Sequence, residues 1–282
     1  MKKRILALFL LAITLLCLCS CSNGNSNSSF SIHFIDVGQG DSALVECDGR
    51  YMLIDGGGTS AGEKVYNVLE EKRIQKLDIL AVSHLHEDHY GGLIKALTYA
   101  TSIRLTISNS KYTNNENFRK FEHELRLNGS NITVPPLGKK YKLGSATVEV
   151  VDVSAVDNND SLVLLIAYGD TKFLFTGDIG DDAQTRISNK YQNDSDKPYK
   201  IDLIKMPHHG SYTGTLYRFL RTFMPDYAII SVGKDNSYGH PSEKTMALLD
   251  SKKWKPKVYR TDFDGDIVIK SNGKKLTVKT SK

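Results

Sequence analysis

Ser83-His84-Leu85-His86-Glu87-Asp88-His89 places four metal-ligating side chains within six positions, directly behind a short β-type run at residues 78–82. In extended chain, residues i and i+2 face the same way, so His84 and His86 point together. The turn that follows can bring Asp88 and His89 to a second position beside them, and Gly91-Gly92 permits a tight backbone path into the next helix. Imidazole and carboxylate donors in one cluster suit Zn²⁺, and also Mn²⁺ or Fe²⁺.

Outward from that loop the chain reads as one α/β domain over residues 30–282. Residues 30–37, 42–47 and 51–55 are three short strands separated by Gly/Asp turns. Residues 63–73 form a helix, with Val65, Val68, Leu69 and Lys72 at helical spacing. A helix over 92–100, an extended run over 103–107 and a polar helix over 115–127 follow. After the break at Pro135-Pro136 come strands at 146–153, 161–168 and 171–176, the last two joined by the hairpin signal Gly169-Asp170. Helices over 181–189, 215–223 and 243–250 then alternate with strands at 201–206 and 227–232, and three more strands over 258–261, 266–270 and 276–279 close the chain. Two sheets packed face to face with helices outside satisfy that order.

The formal charge is +5, of which Lys2, Lys3 and Arg4 supply three, leaving +2 for the remainder. Those cations precede an apolar stretch from Ile5 to Leu18 that is short for a membrane span and suits an export signal. The stretch ends Leu18-Cys19-Ser20-Cys21, similar to a bacterial lipobox. Residues 1–21 are therefore expected to be a lipoprotein signal peptide and lipobox, with Cys21 lipidated, and 22–29, all small or polar, a flexible tether. That places the protein outside the cytoplasm, anchored to the outer face of the bacterial membrane. The apparent basicity is then mostly the export signal and by itself implies no nucleic-acid partner. Cys47 alone lies in the body of the chain, so no internal disulfide framework forms, and it reads as a small buried residue.

With its histidine loop, the chain resembles the metallo-β-lactamase superfamily, whose signature is His-x-His-x-Asp-His. Leu53-Ile54-Asp55-Gly56-Gly57 looks like that family's first motif, an Asp that braces the histidine loop, and Phe173-Leu174-Phe175-Thr176-Gly177-Asp178 like the one supplying a bridging carboxylate. Three further stretches, residues 34–42, 205–211 and 236–241, are similar to the metallo-β-lactamase-like domain of competence DNA-uptake channel proteins (the ComEC family) and to phosphorylcholine esterases of the superfamily. The resemblance implies a four-layer αββα sandwich. It also implies that His84 and His86 hold one metal, that Asp88 and His89 hold a second, and that Asp178 bridges them. His208 or His209 completes the second site, with His209 favoured as ligand and His208 as a substrate contact. His240 is a further ligand or proton donor. One departure stands out. The family's third-motif histidine is absent, because His123, on a polar helix, reads as surface or packing, and Asn158-Asn159-Asp160-Ser161 stands instead. Asp160 or an Asn carbonyl is the expected oxygen donor there, and the loss of an imidazole would favour Mn²⁺ over Zn²⁺ somewhat.

These residues imply hydrolysis by activated water, one or two Zn²⁺ ions (or Mn²⁺) being the cofactor. Asp88 would orient the water, and His208 or His240 would protonate the leaving oxygen. A phosphodiester is the expected substrate, in a nucleic acid or a cell-wall polymer. Hydrolysis of a lactone or thioester, or a non-catalytic metal-binding lipoprotein, are the alternatives. Between residues 250 and 282 ten Lys/Arg face four acids, with Trp254 and Tyr259 interleaved. Such a stretch guides a polyanion or is a lysine-guarded sheet edge. No protein partner is inferable.

Overall fold

A computed structural model of the chain describes residues 29–155, 160–192, 198–251 and 254–282. The expected signal sequence, lipid site and most of the tether lie outside these residues, as do Asn158, Asn159, Lys252 and Lys253. Among the described residues the strands form an eight-stranded sheet, a seven-stranded sheet and a small two-stranded one. In the larger sheet Phe30–Phe34, Ala43–Cys47 and Arg50–Ile54 pair antiparallel, and Ile267–Ser271 and Leu276–Thr280 extend it beyond the first strand. Ile79–Val82 and Thr106–Ser108 then join the third strand in parallel. The second sheet repeats this plan: Ala146–Asp152, Val163–Tyr168 and Thr171–Phe175 are antiparallel, and Leu203–Lys205, Tyr227–Ile230 and Lys257–Arg260 continue it in parallel.

Alternation along the strands builds the layers. Ile32, Phe34, Val45, Met52 and Ile54 face Val148, Leu164, Ile166, Phe173 and Phe175 in one buried cluster between the sheets. The intervening residues Leu44, Leu53, Leu80 and Val82 point the other way, onto Val65, Leu69, Leu93, Phe118 and Phe121 of the helices Gly62–Glu71, Leu93–Ala96 and Glu116–Leu127. Val163, Leu165, Leu174 and Ile204 likewise meet Ile187, Phe219, Phe223 and Leu249 of the helices Asp181–Tyr191, Tyr217–Phe223 and Glu243–Leu249. Three separate apolar clusters between successive layers make the αββα sandwich, since each sheet is apolar on both faces and needs a cover on each. Phe30 stacks between Tyr168 and Phe173, with ring centroids 4.9 and 4.8 Å away, which fixes the first strand against the opposite sheet.

Some expected elements come out differently. The helix expected over 92–100 is one turn, Leu93–Ala96, with turns beyond it. The extended run over 103–107 divides into Ser102–Ile103, which pairs with Lys76–Leu77 in the small sheet, and Thr106–Ser108 in the large one. Lys140–Leu143 forms an edge strand that the sequence does not announce. His123 is exposed, Cys47 is fully buried, and His33 is tied to Asp266 with 2.8 Å between Nε2 and Oδ2. In the basic C-terminal stretch, Trp254 Nε1 donates to the Pro225 carbonyl at 2.9 Å, and Tyr259 packs against the inter-sheet core. Both aromatics are half-buried and take part in packing.

Candidate metal centre

The parallel strands of both sheets end at one pole of the sandwich, and the loops leaving them carry the ligand-type residues. Asp55 follows Arg50–Ile54, His84 follows Ile79–Val82, Asp178 follows Thr171–Phe175 and His209 follows Leu203–Lys205. In open α/β sheets this is where ligands bind, because loops from several strands converge there.

The histidine loop is held from below. Asp55 adopts a left-handed φ of 56°, and its Oδ1 accepts a 2.7 Å bond from the Ser83 N–H while its Oδ2 lies 3.1 Å from His89 Nδ1. The Ser83 hydroxyl sits 3.1 Å from both His84 Nδ1 and His89 Nδ1. With their outward nitrogens taken, both imidazoles turn Nε2 into the centre. A side chain at Gly40 would press into the Asp88 carbonyl, so the turn before Asp41 needs glycine to lie on the histidine loop.

Asp178 Oδ2 is the middle of the arrangement. It lies 3.2 Å from His89 Nε2, 3.5 Å from His209 Nε2, and 3.9 Å from both His84 Nε2 and His208 Nε2. Asp88, His89, Asp178 and His209 each bring a ligand atom within 4.8 Å of the others. His84 Nε2 and His86 Nδ1 face one another at 2.8 Å on the neighbouring side. His209 Nδ1 stands 2.9 Å from the Ser231 carbonyl, which can only accept, so the proton lies there and Nε2 faces inward. His208 and His209 both hold left-handed backbone, with φ of 46° and 52°. Strain in two successive non-glycine residues is a mark of a functional site.

Electrostatics follow from the packing. Burial favours a neutral Asp178, but the imidazoles of His209 and His89 override it and hold the carboxyl well below the usual range. Burial opposes charge on His89 and His209 too, and Asp178 overrides it, raising both well above the ordinary imidazole range. Burial, reinforced by His89, keeps His84 neutral. Burial also lowers His208, and burial followed by the charge of His209 and His208 pushes His240 down to about 4.

The donors fit a divalent ion. Asp178 Oδ1 and His209 Nε2 are buried with no hydrogen-bond partner among the described residues, a state that costs roughly 1–3 kcal/mol per group when nothing binds there. Nitrogen and carboxylate oxygen in a closed cluster are the donor set of zinc and its neighbours. Asp88, with its side chain 36% exposed, is the member of the Asp88/His89/Asp178/His209 cluster that opens to solvent.

His240 stands at the rim, its ring 5.7 Å from His208 and 6.4 Å from His209, and Tyr238 stacks on its outer face. Asp160 does not join the cluster: its Oδ1 accepts from Arg186 at 3.0 Å and its Oδ2 from the Ser154 hydroxyl at 2.7 Å, which turn the carboxylate away. Ser161 occupies the place instead. Its hydroxyl lies 3.4 Å from His84 Nδ1 and accepts the Asp178 N–H at 2.9 Å. Sequence reasoning gave no role to Asp41 and Lys205, which form a buried ion pair directly behind His209. Both sit inside motif stretches, and only their side-chain types in an apolar setting could have signalled it.

The model of the metallo-beta-lactamase superfamily matches residues 35–234. The chain is 32% identical over 259 residues to ComE operon protein 3 of Bacillus subtilis (strain 168), covering 84% of this chain and 32% of that protein. It is 26% identical over 236 residues to competence protein ComA of Neisseria gonorrhoeae, covering 82% and 30%. The chain thus spans about a third of the length of these relatives. Among solved structures, the metallo-beta-lactamase fold protein YhfI from Bacillus subtilis superposes with a TM-score of 0.56 at 12% identity, over 86% of this chain and all of that one. Tm1679, a metal-dependent hydrolase of the beta-lactamase superfamily, gives 0.51 at 14% identity, over 82% and 95%. With the layer order, the converging loops and the histidine–aspartate cluster in agreement, the chain belongs to the metallo-β-lactamase superfamily of metal-dependent hydrolases, with sequence kinship to competence proteins.

Proposed function

We propose that the protein is a lipid-anchored, extracytoplasmic phosphodiesterase that uses one or two divalent ions, zinc or manganese, to activate water. The observation that carries this reading is the position of Asp178 Oδ2 among four inward-facing imidazole nitrogens, 3.2–3.9 Å away. A carboxylate in that position suits a bridge between a His84/His86 pair and an Asp88/His89/His209 set. The bound ions would supply Lewis acidity and a water acidic enough to react at neutral pH.

The chain's own residues do the rest. Asp88, on the open side, accepts a hydrogen bond from the attacking water and aims it. Ser83 and Ser161 are 3% and 1% exposed and face the outer nitrogens of the ligands, so neither is available as a nucleophile. His208 and His240 line the rim as neutral imidazoles. An arriving phosphate anion raises the basicity of both, so either takes up a proton as substrate binds and returns it to the leaving oxygen. Ser20-Cys21 and the polar residues behind it support the anchor, and the kinship with competence proteins supports a phosphate-containing polymer as substrate.

A substrate panel on the metal-loaded protein tests this: DNA, RNA, bis-p-nitrophenyl phosphate, a phosphocholine ester and a lactone, with His86→Ala and Asp178→Asn as controls. Metal-dependent phosphodiester cleavage that both variants abolish is expected. Turnover of the lactone alone, or metal binding without turnover of any member, overturns the assignment.

A further inference from the structure

We propose that the pole of the sandwich opposite the metal centre is a docking face for an anionic phospholipid surface. The inference rests on the lipid-anchor reading above and extends it to how the domain stands on the membrane.

Strand register defines that pole. Phe30 pairs with Cys47 on one side and Ser271 on the other, and Cys47 pairs with Arg50. Ser29, the turn at Asp48-Gly49 and the turn following Ser271 therefore lie together. The metal-type residues leave the other ends of the strands, so a five-residue strand, about 16 Å, separates the two poles.

At this pole an open groove of about 670 Å³ is lined by Arg50, Arg73, Lys76 and Arg104, with Asp78 as the acid among its lining residues. Arg50 and Arg104 share that acid, at 3.3 and 3.6 Å, which leaves the groove with an excess of positive charge. Lys274 and Lys275 stand exposed on the turn beyond Ser271. The chain leading from the expected lipid site arrives at the same pole. The Ser29 N–H donates to Asp48 Oδ1 at 3.1 Å, and the Ser29 carbonyl accepts the Asp48 N–H at 3.0 Å, so the entry point is pinned beside the groove. Eight positions separate Cys21 from Ser29. At no more than about 3.6 Å per residue, they keep the pole within roughly 29 Å of the bilayer.

Two features thus coincide: on the lipid-anchor reading the chain delivers this pole to the membrane, and the groove at this pole carries four cations against one acid. Juxtaposed lysines and arginines are attracted to anionic headgroups, and the short connection raises their effective concentration there. Docked this way, the metal centre faces away from the bilayer, open to substrate. A nucleic acid bound in the groove would lie at the opposite end of the strands from that centre, which favours lipid as the occupant.

The test uses the full chain, processed and purified from membranes, in phosphatidylcholine vesicles with and without phosphatidylglycerol. One fluorophore is attached at Gln75→Cys in the groove and, in a separate sample, at Lys234→Cys in the loop after Tyr227–Ile230. Headgroup-labelled lipid should quench the first probe and spare the second, only when phosphatidylglycerol is present, with loss in high salt. Arg73→Gln with Lys76→Gln, which leaves the Asp78 pairs intact, should weaken docking about five-fold per charge removed. If the protein stays on the vesicles with neither probe quenched, or with both quenched alike, the docking face is wrong and the anchor stands. If mass spectrometry finds no lipid on Cys21 and the protein leaves the vesicles, both readings fall. If a DNA oligonucleotide competes the groove away from the vesicles, the occupant is a nucleic acid and the docking inference is overturned.

Discussion

The Lys205 ammonium closes onto the Asp41 carboxylate behind the metal centre, with the two side chains only 3% and 9% exposed. Asp41 Oδ1 also lies 3.4 Å from His209 Nδ1, so the pair touches a residue of the cluster. Removing one partner strands a buried charge, at a cost of about 3–5 kcal/mol, whereas removing both is far milder. Lys205→Met should therefore lower stability by about that amount in urea titration, and Lys205→Met combined with Asp41→Asn should recover most of it. A double-variant loss equal to the sum of the Lys205→Met and Asp41→Asn losses would show that the pair is not coupled.

His208 and His209 are adjacent and differ in placement: His209 is buried in the cluster, while the His208 side chain is 30% exposed at the rim. His209→Ala should lose bound metal in equilibrium dialysis and lose activity with it. His208→Ala should keep its metal and lose turnover by about 10²–10⁴-fold, the span of a general acid–base contribution. Metal loss in His208→Ala would exchange the two roles.

Asp55 lies outside the Asp88/His89/Asp178/His209 cluster, yet it fixes His89 and the Ser83 backbone together. Outer partners of this kind are worth about 10–100-fold in metal affinity. Asp55→Asn should lose that much, measured by competition with a chelator dye, while its far-ultraviolet circular dichroism is unchanged. Unaltered affinity would reduce Asp55 to a loop tether.

How far these features can be read in the sequence depends on how local their causes are. His84 to His89 are legible because ligand chemistry and spacing sit in one stretch of six residues. The central strands are legible because Phe30–Phe34 and Thr171–Phe175 alternate between an apolar face and the other layer. Lys140–Leu143 is not: as an edge strand it buries only Leu143 fully, so Lys-Tyr-Lys-Leu shows no apolar period. The close approach of Gly92 to the Gly56 and Gly58 carbonyls is set by another loop, and nothing in the sequence around Gly91-Gly92 announces that partner. Asp160 has the right chemistry for a ligand, but Arg186, from a helix that follows it in the chain, binds it first. The Asp41–Lys205 pair joins segments from the two sheets, and no local pattern reports such a partner.

Asp266 is the hub of a second network, beside the first strand, that makes stability depend on pH. Its carboxylate lies 2.8 Å from His33 Nε2 and accepts the Asp36 N–H at 2.9 Å, with Lys64 Nζ 3.1 Å away. It thus ties Ile267–Ser271 to the first strand and to the helix Gly62–Glu71. Burial alone would raise this carboxyl, but the His33 contact, the Asp36 N–H and Lys64 together hold it far below the ordinary aspartate range. A lowered folded-state value means that the unfolded chain binds the proton more readily, so the contribution is complete above the unfolded pKa of about 3.9 and is lost as pH falls below it. The urea midpoint of the protein should accordingly fall between neutral pH and the acid range. Asp266→Asn should start lower at neutral pH, and the gap between the two proteins should narrow as the pH drops. If that gap stays constant down to pH values below the unfolded aspartate range, the carboxylate of Asp266 carries no linked stability, and the ties among the three elements come from packing alone.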